Sequence, residues 1–209
     1  MRTRTLAIPM ALATLILSVT VASAAKPFET ADVVGQGLAG PVVSQGGAAI
    51  QRTPNGVAAS LKMLTPQPGT YSNPSGPTGS GVSGHPEVFS LWVFVFFNPE
   101  ECASAICGPG DLMNDLDVVA GAYNAGGHVE GGPNLNLAGF VNRDSFTFGG
   151  ANAETIGQAM AMGYDLAGAE IHLAVAPHGA LAPELLPASI SSPNGTPASW
   201  WLALFGPTS

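Results

Sequence analysis

The chain has 209 residues, with six basic and 14 acidic side chains giving a formal net charge of −8, and charged residues make up only 10% of it, against about 25% in an average globular domain. That balance offers no basic footprint, which excludes nucleic acid and anionic lipid surfaces as partners and leaves a cation, an unidentified small molecule, a glycan or a protein. The missing polarity comes instead from 27 Gly and 18 Pro with apolar runs between them and no collagen period, a composition that suits a turn-rich all-β domain better than a disordered chain.

At the N-terminus, Arg2 and Arg4, an apolar run over 6–21 and the small residues Ala22-Ser23-Ala24 form the three parts of a secretory signal peptide, 1–24. The mature chain is expected to be exported, to the periplasm or beyond, and to have no transmembrane segment. Without the leader, four basic residues stand against 14 acidic ones, a net charge of −10. Residues 25–54 show no sustained period and carry Gly35, Gly37, Gly40, Gly46 and Gly47. They read as a flexible lead-in with a short strand near 41–43, followed by a single β domain over 55–209.

Asn55-Gly56 signals a turn, and Val57, Ala59, Leu61 and Met63 then alternate with Ala58, Ser60 and Lys62 as a half-buried strand. Residues 65–85 form a long Pro, Gly and Ser loop. The strongest element is 89–97, where eight of nine residues are large and apolar, so both faces of a central strand are buried. Cys102 and Cys107 follow as a close pair, and in an exported chain this reads as a disulfide that pins the turn leaving the central strand. Asp111 caps the turn or short helix beginning near Gly108-Pro-Gly.

Further strands are expected over 116–123, 125–132, 135–142 and 145–148, and one or two helical turns within 151–162. In 170–176, Ile171, Leu173 and Val175 face the core while Glu170 and His172 face the other way, and Pro177 ends the strand. A helical turn over 183–190 and a last strand or edge cover over 200–205 complete the chain. The fold class is all-β: an antiparallel sandwich or partly open barrel with long Gly/Pro-rich loops and one or two short helical turns.

Four histidines carry the chemical interest. Glu130 lies two residues from His128 and Glu170 two from His172, so each pair shares a face of an extended chain. Were the two strands neighbours, His128, His172 and His178 with Glu130 and Glu170 could converge as ligands for Zn or Cu. The competing reading makes these histidines ordinary hydrogen-bonded strand and turn residues. Asp111, Asp115 and Asp117 suggest a Ca loop but lack the order of an EF-hand. No Gly-x-Ser-x-Gly occurs, so a serine nucleophile would have to be assembled in space. Glu100 and Glu101 point apart as a glycosidase pair; Trp200-Trp201 could stack on a sugar; and Asn194-Gly-Thr196 matches a glycosylation sequon.

Trp92-Val-Phe-Val-Phe-Phe-Asn-Pro-Glu-Glu-Cys102, Cys107, Gly127-His-Val-Glu-Gly-Gly132 and Gly168-Ala-Glu-Ile-His-Leu173 with His178-Gly179 resemble a group of exported bacterial proteins of uncharacterised activity. More distantly the strands are similar to chordin-type (CHRD) β domains, although the closely paired histidines of that domain are missing here. The resemblance implies a secreted β fold with a disulfide and transfers no catalytic residue. The sequence therefore points to an exported, non-catalytic β-domain that binds a ligand. The alternatives are a metal-dependent or Ser/His hydrolase of the cell envelope and a structural envelope protein.

Overall fold

A computed structural model describes residues 28–72, 84–146 and 148–208. The signal peptide read in 1–24 and most of the 65–85 loop lie outside the described residues. Among the described residues eight strands form one sheet: β1 (Glu29–Val34), β2 (Val42–Thr53), β3 (Gly56–Leu64), β4 (Glu87–Phe96), β5 (Ala120–Glu130), β6 (Asn134–Asn142), β7 (Glu170–Ala180) and β8 (Trp201–Phe205). Their order is β5-β4-β7-β8-β1-β2-β3-β6, with every neighbouring pair antiparallel. Three short helices, α1 (Pro109–Met113), α2 (Ile156–Ala161) and α3 (Leu186–Ile190), and three 3-10 turns fill the connections.

The sheet curls into a nearly closed barrel. Inward side chains from all eight strands, among them Val33, Ile50, Leu61, Phe89, Leu135 and Trp201, meet in one buried cluster. The two end strands, β5 and β6, are consecutive in the chain, and at Gly139 a Cβ would sit only 1.8 Å from the Ala125 carbonyl oxygen. Only a glycine lets the backbones approach so closely, so this residue is where the two free edges meet.

As the composition of 89–97 predicts, β4 is buried along its whole length and flanked by β5 and β7. Phe89, Leu91, Val93 and Val95 fill the barrel. Trp92, Phe94 and Phe96 point outward into a second apolar cluster with Leu112, Trp200 and Leu202. A strand inside one sheet is buried on both faces only if a further layer covers the outside. Here the disulfide loop, α1 and the segment leading into β8 provide it.

The lead-in expected over 25–54 is corrected: β1 and the whole of β2 lie there. Its glycines serve close approach or a left-handed backbone instead of flexibility. A Cβ on Gly47 would meet the Lys62 carbonyl oxygen at 2.5 Å. Gly46 takes φ +56° and donates its N–H to Asp32 Oδ1 at 2.7 Å, where the β1–β2 register shifts between Ala31 and Val33. Such a bulge breaks the period that reveals a strand in sequence.

Two further boundaries move for the same reason. The strands expected at 116–123 and 125–132 are one strand, β5, carried past its register shift by Gly126 at φ +130°. Pro177 does not end β7, because its missing N–H falls beside the shift between Val88 and Phe89 in the β4–β7 ladder. The strand expected at 145–148 is reduced to a single bridge between Phe148 and Ala122.

The barrel is pinned at one end by Arg52, which is 4% exposed. Its Nε and Nη2 donate to the two carboxylate oxygens of Glu29 at 2.9 and 3.0 Å. Its other three N–H bonds go to the carbonyls of Leu166, Ala169 and Gly206 at 2.5, 2.6 and 2.7 Å. All five guanidinium donors are thus used, which is what makes a buried arginine tolerable.

Candidate functional site

The outer layer over β4 does not close completely. Across from Phe94, β5 presents Ala122 and β7 presents His172; across from Phe96 stand Ala120 and Glu170; across from Trp92 stands Ala174. A row of aromatic rings flanked by alanines leaves room above the small side chains, and the covering segments arch over it. The result is a cavity of about 280 Å³. Phe94 and Trp200, with ring centroids 5.5 Å apart and 24° between planes, line it together with Leu112, Phe148 and Leu202. Leu38, Met113 and Phe148 stand at its mouth and remain 45%, 40% and 39% exposed.

Two polar side chains break the apolar lining, Thr196 and His172, and the second is backed by Glu170. The side chains of His172 and Glu170 are each only 10% exposed, and His172 Nε2 lies 2.6 Å from Glu170 Oε1. The same oxygen accepts the Cys107 N–H at 2.8 Å. Burial of Glu170 opposes ionisation, but the His172 hydrogen bond and the Cys107 N–H outweigh it and hold the carboxyl below its ordinary value, even with Asp111 nearby. Glu170 is therefore an acceptor, and His172 presents Nε2–H to it.

The loop above this pair is rigid by construction. Cys102 and Cys107 form the expected disulfide, with Cα atoms 5.3 Å apart. Asp111 caps the loop as the sequence suggests: Oδ2 accepts the Gly108 N–H at 2.6 Å and Oδ1 the Ala103 N–H at 2.9 Å. The Trp200 indole N–H is taken by the Asn194 carbonyl at 2.6 Å, so the indole offers the cavity only its apolar body.

The five residues expected as a Zn or Cu set are not brought together, and the convergence expectation is corrected. His172 and His178 sit six residues apart along β7, roughly 20 Å at the rise of a strand. His128 is in register with Phe89, which faces the barrel interior, so it and Glu130 lie on the opposite face of the sheet from Glu170 and His172. They form a pair of their own, with His128 Nε2 3.2 Å from Glu130 Oε2 and the His128 side chain 48% exposed. Glu130 is held below its ordinary value chiefly by the Gly132 N–H, with desolvation opposing and His128 assisting. Among the described residues no group of three or more His, Cys, Asp or Glu side chains is arranged to hold a metal ion. That covers Asp111, Asp115 and Asp117 as well; Asp115 Oδ1 accepts the Asp117 N–H at 2.9 Å.

A Ser/His contact does exist. Ser90 Oγ lies 2.8 Å from His178 Nε2 and takes the Trp92 indole N–H at 2.9 Å. The hydroxyl has two lone pairs and one proton, so it can take the Trp92 N–H and still pair with either tautomer of the neutral His178 ring. Ser90 is 0% and His178 2% exposed, and among the described residues His178 Nδ1 has no hydrogen-bond partner, so none of their carboxylates orients the ring as a triad requires. Burial pushes the His178 pKa down to about 4. This is a buried structural chain with no route for a substrate.

Other sequence candidates also find plain roles. Trp200 and Trp201 are 7% and 5% exposed, one in each apolar cluster, so neither is a platform for a sugar. Asn194 is 4% exposed with Nδ2 directed to the Pro177 carbonyl at 3.3 Å, an inward placement that does not suit a glycosylated side chain. Glu100 and Glu101 are exposed in a 3-10 turn.

Sequence reasoning identified His172 and Glu170 but not the cavity around them. The signal was present: alternate residues of a single strand, Trp92, Phe94 and Phe96, are aromatic, which gives one of its two buried faces a row of rings. No family model matches the chain, and no curated protein or solved structure matches it either.

Proposed function

We propose that this chain is an exported, non-catalytic binding protein that holds a small, largely apolar molecule in the cavity over β4. The observation that carries this reading is a cavity of about 280 Å³ whose lining is apolar except for the side chains of His172, which is backed by Glu170, and Thr196. That size is near the lower end of ligand pockets, about 300–1,000 Å³, and an apolar lining with one or two placed polar groups is their usual make-up. An apolar mouth formed by Leu38, Met113 and Phe148 favours entry of an apolar solute over a charged one.

Export rests on the leader read in 1–24 and agrees with a disulfide, which persists in oxidising compartments. The likeness to chordin-type β domains is part of the same proposal and supports only a secreted β module. Among the described residues no helix is long and apolar enough to cross a membrane.

The test is a fluorescence titration with the neutral probe N-phenyl-1-naphthylamine. Saturable, single-site binding is expected, and Leu112→Trp, which fills the cavity from its wall, is expected to abolish it. Absence of saturable binding by the unmodified chain, or full binding by the filled variant, overturns the proposal.

A further inference from the structure

The His172–Glu170 pair narrows the ligand class, on the premise that the cavity is the ligand site. Glu170 consumes Nε2–H of His172. Among the described residues Nδ1 of the same ring has no hydrogen-bond partner, and it keeps accessible surface. A ring that is nine-tenths buried and lines the cavity therefore presents an open nitrogen to it. In the neutral imidazole with Nε2 protonated, Nδ1 is an acceptor, so the matching ligand group is a donor.

Charge and shape restrict that donor. Among the described residues the lining contains no Lys or Arg, and the Glu170 carboxylate stands against His172, so an anionic ligand would meet repulsion without compensation. An ammonium would lose its hydration in an apolar cavity. The other polar residue of the lining, Thr196, is the N-cap of the 3-10 turn at Pro197–Ser199, where its backbone N–H donates to the Ser199 hydroxyl and its carbonyl accepts from it. Stacked Phe94 and Trp200 form a flat wall, and the volume is almost twice that of the engineered cavity of about 150 Å³ that holds one benzene ring.

We infer that the cavity takes a small neutral aromatic of about two fused rings that carries a hydroxyl, the hydroxyl donating to Nδ1 of His172 while the rings lie against Phe94 and Trp200.

Isothermal titration calorimetry of the full-length chain with 2-naphthol, naphthalene and 2-naphthoate tests this. One neutral hydrogen bond predicts that 2-naphthol binds about three- to tenfold more tightly than naphthalene, with 2-naphthoate the weakest of the three. In His172→Leu the 2-naphthol preference is expected to vanish while naphthalene still binds; should that variant misfold, the series on the unmodified chain decides alone. Equal affinity for 2-naphthol and naphthalene, or tighter binding of 2-naphthoate, overturns the hydroxyl inference and leaves the apolar-cavity reading standing. Failure of all three compounds to bind overturns both.

Discussion

Arg52 and His178 show how differently two buried polar residues can stand toward stability. Arg52 has all five donors satisfied, two of them by Glu29. Removing it leaves three carbonyls and a carboxylate without partners, so Arg52→Ala is expected to lower unfolding free energy by about 3–5 kcal/mol, read from urea denaturation. His178 makes the opposite contribution. Its pKa is about 4 in the fold and near 6.5 in the unfolded chain. Between those values the unfolded state binds the proton and the native state does not, so stability falls as pH drops from about 6.5 to 4, by about 3 kcal/mol at most. Above pH 6.5 both states are neutral and the effect is absent. Glu87, whose carboxyl is raised by burial beside Tyr71, acts in the other direction above its unfolded value. The comparison to make is therefore between the unmodified chain and His178→Leu. The variant is expected to show a flatter stability profile between pH 4 and 6.5, and identical slopes would sink the assignment.

At the scale of elements, the loop after β4 ties the disulfide to the cavity. Cys107 lines the cavity and donates its N–H to Glu170, so the covalent loop positions the carboxylate that orients His172. Replacing Cys102 and Cys107 together by Ser is expected to cost about 2 kcal/mol, from chain entropy over a six-residue loop. It should also weaken binding of the naphthyl probe, because the wall and the polar pair loosen together. Equal affinity with and without the disulfide would separate the loop from the site. At the β5–β6 seam, Gly139 is required by the Ala125 carbonyl 1.8 Å from where a Cβ would stand. Gly139→Val forces the strands apart and is expected to destabilise the fold by about 1–3 kcal/mol, with faster amide exchange in β5 and β6 than in β4 and β7.

The whole molecule has two apolar layers that share β4, and they carry different duties. Phe89 lies in the barrel cluster and is fully buried, so Phe89→Ala is expected to cost about 3–5 kcal/mol. Phe94 belongs to the outer cluster and lines the cavity. Part of its surroundings is already open, so Phe94→Ala should destabilise less and reduce probe binding more. A thermal melt and a probe titration on both variants check this division. Equal losses in both measurements would show that the layers are not separable.

The sequence by itself determined the all-β class, the central strand, the disulfide and the outward face of Glu170 and His172. These depend on local composition and a period of two, which survive without knowledge of neighbours. Bulged strands were less legible: glycines at Gly46, Gly47 and Gly126 interrupt the period, and flexibility and close backbone approach leave the same mark in a sequence. Only the tertiary structure decided that β1 and β2 complete the barrel, that His128 lies on the opposite sheet face from His172, and that alanines of β5 and β7 flank the aromatics of β4. Each depends on which strands lie side by side and in what register. Register and strand order arise from contacts between residues far apart in the chain, and no single segment encodes them.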